Sequence, residues 1–530
     1  MIKEKLMKEV DELFKKWDTP NSPGCALAIA KDGEVIYKNG YGVANLEYDI
    51  PITPQIIFHV ASVSKQFTAF SILLLEQEDK LSLNDEIHLY LSYLPQFEKK
   101  ITIQHLLNHT SGLRDQWALL TMAGWRLDDV ITQSDIIDIV KRQQKLNFEP
   151  GSKFLYSNTG YTLLSEIVAI VSGMKFTDFT NLKIFKPLEM EHTHFHRCHR
   201  HIVKNRAYSY GFGPNGKLVK SILSFANVGA TSLFTTVEDM AKWGINFTTG
   251  KVGGLDILKK MVQKGVLNDG SELDYANGLV IGSYRGLPII EHSGEDAGFR
   301  SHFLHFPNQQ VTIICLSNFA TFGPGLYSRK VADIILKEDL EKFPQVYDEK
   351  QEEKIKNPNE IVGIYSVNNT LLKISSQNGQ FYLDFDFINS IGLPKNPLTP
   401  KKGILFQDID GNEYSFQNFD GKKYQSVYLL GSDLQATRLK QKEISCENLL
   451  EFTGKYYSKE LLRIYEFTIK EGDLHLIPPR GKQRKMLYFD SDTFRNEGQE
   501  VNFFRGEQND VMGFKISESR VKDLIFKKMV

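Results

Sequence analysis

A serine and a lysine stand three residues apart in Ser62-Val63-Ser64-Lys65. A hydroxyl held beside an amine can act as a nucleophile with its base, the amine taking the proton as the oxygen attacks. Tyr156-Ser157-Asn158 places a phenol and an amide on one stretch, a proton acceptor and a substrate-orienting group. His292-Ser293-Gly294 offers an imidazole followed by a glycine, where backbone and ligand could approach closely. Each signal is weak alone. S-x-x-K occurs three times, at Ser62–Lys65, Ser172–Lys175 and Ser519–Lys522, and chance gives on the order of two in such a chain. Y-x-N recurs at Tyr275-Ala276-Asn277. Taken singly, the three read as a helix cap with a solvated lysine, a loop-anchoring aromatic and a structural histidine.

Two groups of histidines raise the question of a metal. His105 and His109 are four apart, with no acidic partner or third ligand nearby. Five of the thirteen histidines fall in Glu191–His201, and His192, His194 and His196 would share one strand face, a spacing able to bind a transition metal. The first pair reads as holding a loop by hydrogen bonds, the second group as a histidine-rich surface loop. No metal ligand and no cofactor are assigned.

These residues need rigid elements to carry them. No Gly or Pro interrupts the run from Ser62 to Leu83, and Phe67, Phe70, Ile72, Leu73, Leu74 and Leu75 are apolar on several sides. A buried helix is predicted there, starting near Ser62 so that Lys65 lies one turn on along the same face. A short helix capped by Thr102 and stopping at Gly112 is expected next. A loop over Phe148–Gly160 carries Tyr156, and a helix from Tyr161 to Val171 ends at Gly173. Cys25–Ala30 and Glu34–Lys38 read as a hairpin about Lys31-Asp32-Gly33. Strands are expected over Gly278–Tyr284, Arg300–Phe306 and Val311–Leu316, and a helix over Tyr327–Leu340. His292 would stand just past the end of an apolar strand.

Composition excludes several classes. The chain has 530 residues, 41% hydrophobic and 24% charged, with a formal net charge of −1. Nothing in that balance calls for nucleic acid or an anionic membrane as partner. Four scattered cysteines make neither a disulfide framework nor a zinc site. The first seventeen residues form an amphipathic helix of mixed charge without the apolar core of a signal peptide. A cytoplasmic location is expected, or an extracytoplasmic one if a leader has been removed.

In this order and at these separations, Ser62-x-x-Lys65, Tyr156-x-Asn158 and His292-x-Gly294 resemble the serine β-lactamase and penicillin-binding-protein superfamily. The class C β-lactamase, esterase and D-aminopeptidase branch is the most similar. Flanking motifs support it: L-L-N-H-T-S-G-L at Leu106–Leu113, P-G-x-x-F-x-Y-S-N-T-G-Y at Pro150–Tyr161, and H-S-G-x-x-x-G-F-R-S at His292–Ser301. The resemblance implies an α+β fold over residues 1–340, a five-stranded antiparallel sheet flanked by helices with an all-helical subdomain. It also implies roles. Ser62 would form an acyl-enzyme, Lys65 and Tyr156 would share proton transfer, and His292 would assist beside Tyr156. Asn158 would orient a substrate amide. The 293–295 edge (Ser293, Gly294, Glu295) would bind substrate, with the backbone N–H groups of Ser62 and Glu295 holding the oxyanion. Many β-lactamases carry lysine where His292 stands, which weakens the case for binding an antibiotic's carboxylate. Glu295 would disfavour anionic substrates and favour a free amine. The expected substrate is a small molecule or short peptide with an amide bond, peptides containing a D-residue among them. Ester or β-lactam hydrolysis and non-catalytic penicillin binding are the alternatives, and a homodimer is compatible with all of them.

Beyond a charged, proline-containing linker at 341–358, the pattern becomes short alternating strands with turns at Asn378-Gly379, Asp410-Gly411 and Asp420-Gly421. Glu360-Ile-Val-Gly-Ile-Tyr-Ser366 resembles Glu451-Phe-Thr-Gly-Lys-Tyr-Tyr-Ser458. This internal repeat predicts two small antiparallel β-barrel modules, 359–442 and 443–530. That layout is similar to bacterial D-aminopeptidases, where such a module could border the cleft.

Overall fold

The computed structural model describes residues 2–213, 215–341, 357–367, 370–385, 396–401, 403–408, 413–430, 435–440, 442–496 and 498–529. The chain divides into two compact units. One comprises Met1–Trp117, Arg126–Gly211 and Leu218–Phe343; the other comprises Ala118–Trp125, Phe212–Lys217 and Pro344–Val530. The expected linker lies almost wholly outside the described residues, as does the Asp410-Gly411 turn.

The first unit is built on an antiparallel sheet in the order Val280–Tyr284, Leu287–Asp296, Phe299–Phe306, Val311–Ser317, Cys25–Lys31, Glu34–Tyr41. It has six strands rather than five, because Val280–Tyr284 adds an edge. The Phe299–Phe306 and Val311–Ser317 strands are buried at every position. Burial on both faces needs cover on both, which is why they read as continuous apolar runs. The helix Pro324–Ile335, backed by Ile2–Phe14, and the helix Val237–Thr249 pack on these strands. Phe14 stacks on Tyr41 at 4.7 Å, and Gly244 lets the second helix approach Thr312 where a Cβ would come within 2.5 Å of its methyl. Asp32 and Gly33, at φ 52° and 82°, form the two-residue turn that Asp-Gly predicts.

Helices dominate the stretch between Ser62 and His292, with short ladders of two or three strands between them. The Lys65–Gln77 helix is buried from Lys65 through Leu75, following a turn of 3-10 helix at Ala61–Ser64. Thr102 caps a helix that stops at Leu107, five residues earlier than expected. His105 completes that cap, its Nδ1 accepting from the Thr102 N–H at 3.2 Å, so it is engaged in its own helix and not in a metal pair. Asn158–Ser172 is helical three residues before the expected start and ends at Gly173, φ 68°. The helix expected over Tyr327–Leu340 runs over Pro324–Ile335, with Pro324 at its first turn, where a missing N–H costs nothing.

The second unit contains both expected β modules. Eight strands from Gly363–Val367 to Gln435–Arg438 close a barrel around Tyr365, Ile374, Leu383, Leu398 and Phe416. A nine-stranded sheet from Gly454–Ser458 to Val521–Lys528 wraps an aromatic core of Tyr456, Phe467, Phe503 and Phe514. The sequence repeat is a repeat of bonds. The Tyr365 hydroxyl donates to the Ile361 carbonyl at 2.8 Å, and the Tyr456 hydroxyl to the Phe452 carbonyl at 2.8 Å. A cation from each module's last strand, Arg438 or Lys528, lies over that tyrosine ring and donates to the Glu360 or Glu451 carbonyl.

Candidate active site

Ser62 is set by strain and by a small sheet. Phe58–His59 pairs with Leu233–Thr235, which pairs with His194–Phe195. Ala61 then turns the chain at φ 47°, a left-handed conformation that costs a non-glycine residue about 1–2 kcal/mol. Its N–H donates to His59 Nδ1 at 3.1 Å, and the Leu233 N–H donates to Ser64 Oγ at 3.0 Å. The result leaves Ser62 partly exposed while both residues that follow it are buried.

Lys65 is fully buried, and its Nζ lies 3.0 Å from Ser62 Oγ, 2.8 Å from Asn158 Oδ1 and 2.7 Å from the Ala230 carbonyl. The two carbonyl oxygens can only accept, whereas the hydroxyl can also donate. The Lys65 Nζ also lies 4.9 Å from the centre of the Tyr156 ring. Asn158, at the first position of its helix, is turned by Asp115, whose Oδ2 accepts from the Asn158 N–H at 2.7 Å and from Nδ2 at 2.8 Å. A carboxylate on one side and an amine on the other leave one orientation for the amide. Asn158 is 5% exposed, so it bridges Asp115 to Lys65 first, and a substrate would share what remains of its amide.

His292 lies within the Leu287–Asp296 strand, not beyond its end. Its Nδ1 lies 2.6 Å from the Ser293 carbonyl, which can only accept, so Nδ1 carries the proton. Nε2 therefore accepts from the Tyr275 hydroxyl at 3.1 Å. Burial, and then the Lys65 charge, lower its pKa to about 3, so the ring is neutral. The expected partner, Tyr156, has its ring centre 6.3 Å away, and both imidazole nitrogens are engaged elsewhere. His109 packs at 4.1 Å on Tyr156, the rings tilted by 36°, and accepts from the Ser157 N–H at 3.1 Å, which fixes the loop.

Gly294 is where the strand meets the nucleophile. A Cβ there would lie 2.2 Å from the Val60 carbonyl and 3.0 Å from the Ser62 nitrogen. Past Glu291 the strand pairs with Phe299–Phe306 on one side only, among the described residues, so its other edge is open beside Ser62. Alternation puts His292 and Gly294 on the buried side and exposes Ser293 and Glu295. The Glu295 carboxylate lies 3.9 Å from Arg300 Nε on the neighbouring strand, which offsets part of the negative charge expected at this edge.

Sequence reasoning missed four contributors. Asp115 stands two residues past the Leu106–Leu113 motif. Tyr275 belongs to the Y-x-N repeat that reads as coincidence. Ala230 offers only a carbonyl and so leaves no trace in side-chain chemistry. Asp296 sits among the unspecified positions after Gly294; its carboxylate accepts from the Thr231 hydroxyl, and burial raises its pKa to about 6. The remaining S-x-x-K serines are structural: Ser172 Oγ donates to the Val168 carbonyl at 2.6 Å, and Ser519 occupies a turn at φ 36°.

The family model described as Beta-lactamase matches residues 10–334. A D-aminopeptidase of Gluconobacter oxydans is 28% identical over 302 residues, 56% of this chain and 56% of the relative, so the chain spans little more than half that protein's length. Penicillin-binding protein 4* of Bacillus subtilis is 28% identical over 332 residues, 60% of this chain and 73% of its own. Among solved structures, the octameric penicillin-binding protein homologue from Pyrococcus abyssi superposes with a TM-score of 0.59 at 22% identity, covering 91% of this chain and 99% of its own. The D-amino acid amidase from Ochrobactrum anthropi SV3 gives 0.53 at 23% identity, over 63% and 98%. At those identities the two structures speak to the fold alone.

Proposed function

This chain belongs to the beta-lactamase family, and on that premise we propose that it is a serine hydrolase that cleaves an amide or peptide bond through an acyl-enzyme on Ser62. The observation that carries the reading is the placement of Lys65 Nζ 3.0 Å from Ser62 Oγ, with its two other named partners carbonyl oxygens. As a neutral amine, Lys65 gives two hydrogens to those carbonyls and turns its lone pair to the Ser62 hydroxyl. The Ser62 proton moves to Nζ as Oγ attacks the substrate carbonyl. The leaving amine then takes a proton from the Lys65–Tyr156 pair, which acts as one coupled unit. Water attacks the ester with the same groups reversed. The N–H groups of Ser62 and Glu295 hold the oxyanion, an arrangement supported by the close approach of the strand at Gly294, where a Cβ would stand 3.0 Å from the Ser62 nitrogen.

His292 takes a positioning part in this scheme: neutral and bonded to Tyr275, it fills the space beside Lys65 without adding charge. The preference for short substrates with a D-residue rests on the D-aminopeptidases among the relatives. A homodimer remains part of the proposal, tested by light scattering.

A panel of D-alanine anilides, nitrophenyl esters and a chromogenic cephalosporin, run on wild type beside Ser62→Ala, tests the reading. Anilide turnover that vanishes in the variant supports it. Turnover confined to the esters or the cephalosporin moves the substrate to the alternative class, and a Ser62→Ala protein as active as wild type ends the assignment.

A further inference from the structure

The histidine-rich segment folds into a cluster different from the one its spacing suggests. His192 is exposed and apart, its backbone N–H held by Asp239 at 2.8 Å. His194, His196 and His201 instead converge, with one ring nitrogen of each within 4.8 Å of the others. Their ring centres form a near-equilateral triangle of 5.8, 5.6 and 5.7 Å. The turn that closes it, His201 N–H to the Cys198 carbonyl at 2.9 Å, brings the third ring back over the strand.

We propose that His194, His196 and His201 form a binding site for one divalent transition-metal ion of the zinc or cobalt type. Three neutral imidazoles without a carboxylate select borderline-soft ions over magnesium or calcium. In a tetrahedral centre with metal–nitrogen bonds of about 2.0–2.1 Å, ligand nitrogens stand about 3.3 Å apart. The cluster needs to contract by about 1.5 Å at most to reach that spacing, and His201 is its exposed member.

A second observation points to a ligand. His196 is 2% exposed, yet neither of its ring nitrogens has a hydrogen-bond partner among the described residues, and Nε2 of His194 is likewise buried without one. Buried imidazole nitrogens ordinarily find partners. Arg206 opposes a bound cation, but its guanidinium is stacked over Phe234, 4.8 Å from the ring centre. Exposure of His201 leaves the fourth coordination position to water.

The site is coupled to the fold beneath Ser62. Phe234 packs on His194, His196 and His59, and its strand joins His194–Phe195 to Phe58–His59. An ion would therefore tie down the small sheet from which the Ser62 turn springs. This inference does not depend on the hydrolase reading.

The test uses the full chain without a polyhistidine tag, stripped with chelator and titrated with cobalt(II). One equivalent should bind with a Kd below about 10 μM and give visible ligand-field bands of a tetrahedral site, and zinc should displace it. His201→Ala, an exposed position whose loss leaves the fold intact, should abolish the bands and the accompanying rise in melting temperature. His192→Ala and Ser62→Ala should retain both. Absence of saturable binding by wild type, or His201→Ala binding as wild type does, overturns the site.

Discussion

Lys65 illustrates how little of a site is visible in the residues that name it. S-x-x-K supplies an amine one turn from a hydroxyl, and the structure keeps them 3.0 Å apart. What tunes that amine comes from elsewhere in the chain, from Asn158, Ala230 and, behind Asn158, Asp115. Removing the amine should slow the acylation step. Lys65→Ala is expected to lower kcat by about 10²–10⁴-fold with substrate binding kept, measured by steady-state kinetics beside equilibrium binding. Asp115→Ala strips a buried acceptor from the Asn158 N–H, Asn158 Nδ2 and the Trp117 N–H and should cost about 2–3 kcal/mol of stability, read from urea denaturation, with turnover falling because Asn158 no longer holds Lys65. Ser62, Lys65 and Tyr156 could be singled out in the sequence because hydroxyl, amine and phenol are residue types suited to the proposed chemistry. Asp115, Tyr275 and Asp296 could not, since a carboxylate or phenol acquires a role only when folding sets it against a partner tens or hundreds of residues away. His292 shows the reverse: its type suggests proton transfer, whereas both of its ring nitrogens already have hydrogen-bond partners, the Tyr275 hydroxyl and the Ser293 carbonyl.

At the scale of elements, the backbones of the strand carrying Gly294 and the turn carrying Ser62 approach closely. Gly294→Ala should force them apart, because its Cβ would lie 2.2 Å from the Val60 carbonyl. We expect at least about a tenfold loss of kcat/KM, roughly 1.4 kcal/mol. Gly379→Ala, in a hairpin turn of the first barrel with nothing within 4 Å of the new Cβ, should keep full activity at a stability cost of about 1 kcal/mol. Assays of both variants separate close approach at the site from ordinary backbone strain. The hairpins and buried strands were legible from alternation and turn residues, and helix ends were displaced by three to five residues, because caps such as Thr102 with His105 act through geometry. The tyrosine repeat was visible as letters; its meaning, a hydroxyl tied four residues back and covered by a cation, was not. Tyr365→Phe and Tyr456→Phe should therefore each cost about 1 kcal/mol, measured by thermal or urea melts, and unequal losses would argue that the two modules use the bond differently.

For the molecule as a whole, buried neutral histidines set the response to acid. The pKa values of His194 and His305 are lowered to about 4, and those of His196 and His292 to about 3, mainly by burial. Between those values and the ordinary 6.5 the unfolded chain binds more protons, so the stability these residues confer is full above 6.5 and is lost as pH falls toward 3. Asp296, raised to about 6, acts in the opposite sense: its contribution is present below the usual carboxylate value and lost as pH rises through 6. Burial lowers His59, His105 and His302 in the same sense and raises Glu518 as it does Asp296, so seven histidines stand against two carboxyls and the histidines dominate. The urea midpoint should fall steadily from pH 7 to pH 4.5 in the presence of chelator, and a flat profile would contradict these burial assignments. Among the described residues no helix is long and apolar enough to cross a membrane.

The central claim is that Ser62, activated by Lys65, is the nucleophile. Treatment with a fluorophosphonate, followed by intact mass and peptide mapping, measures it directly. The account predicts a single adduct on the peptide containing Ser62, formed far more slowly in Lys65→Ala and absent in Ser62→Ala. An adduct on another residue, or labelling of Ser62→Ala at the rate of wild type, would contradict it.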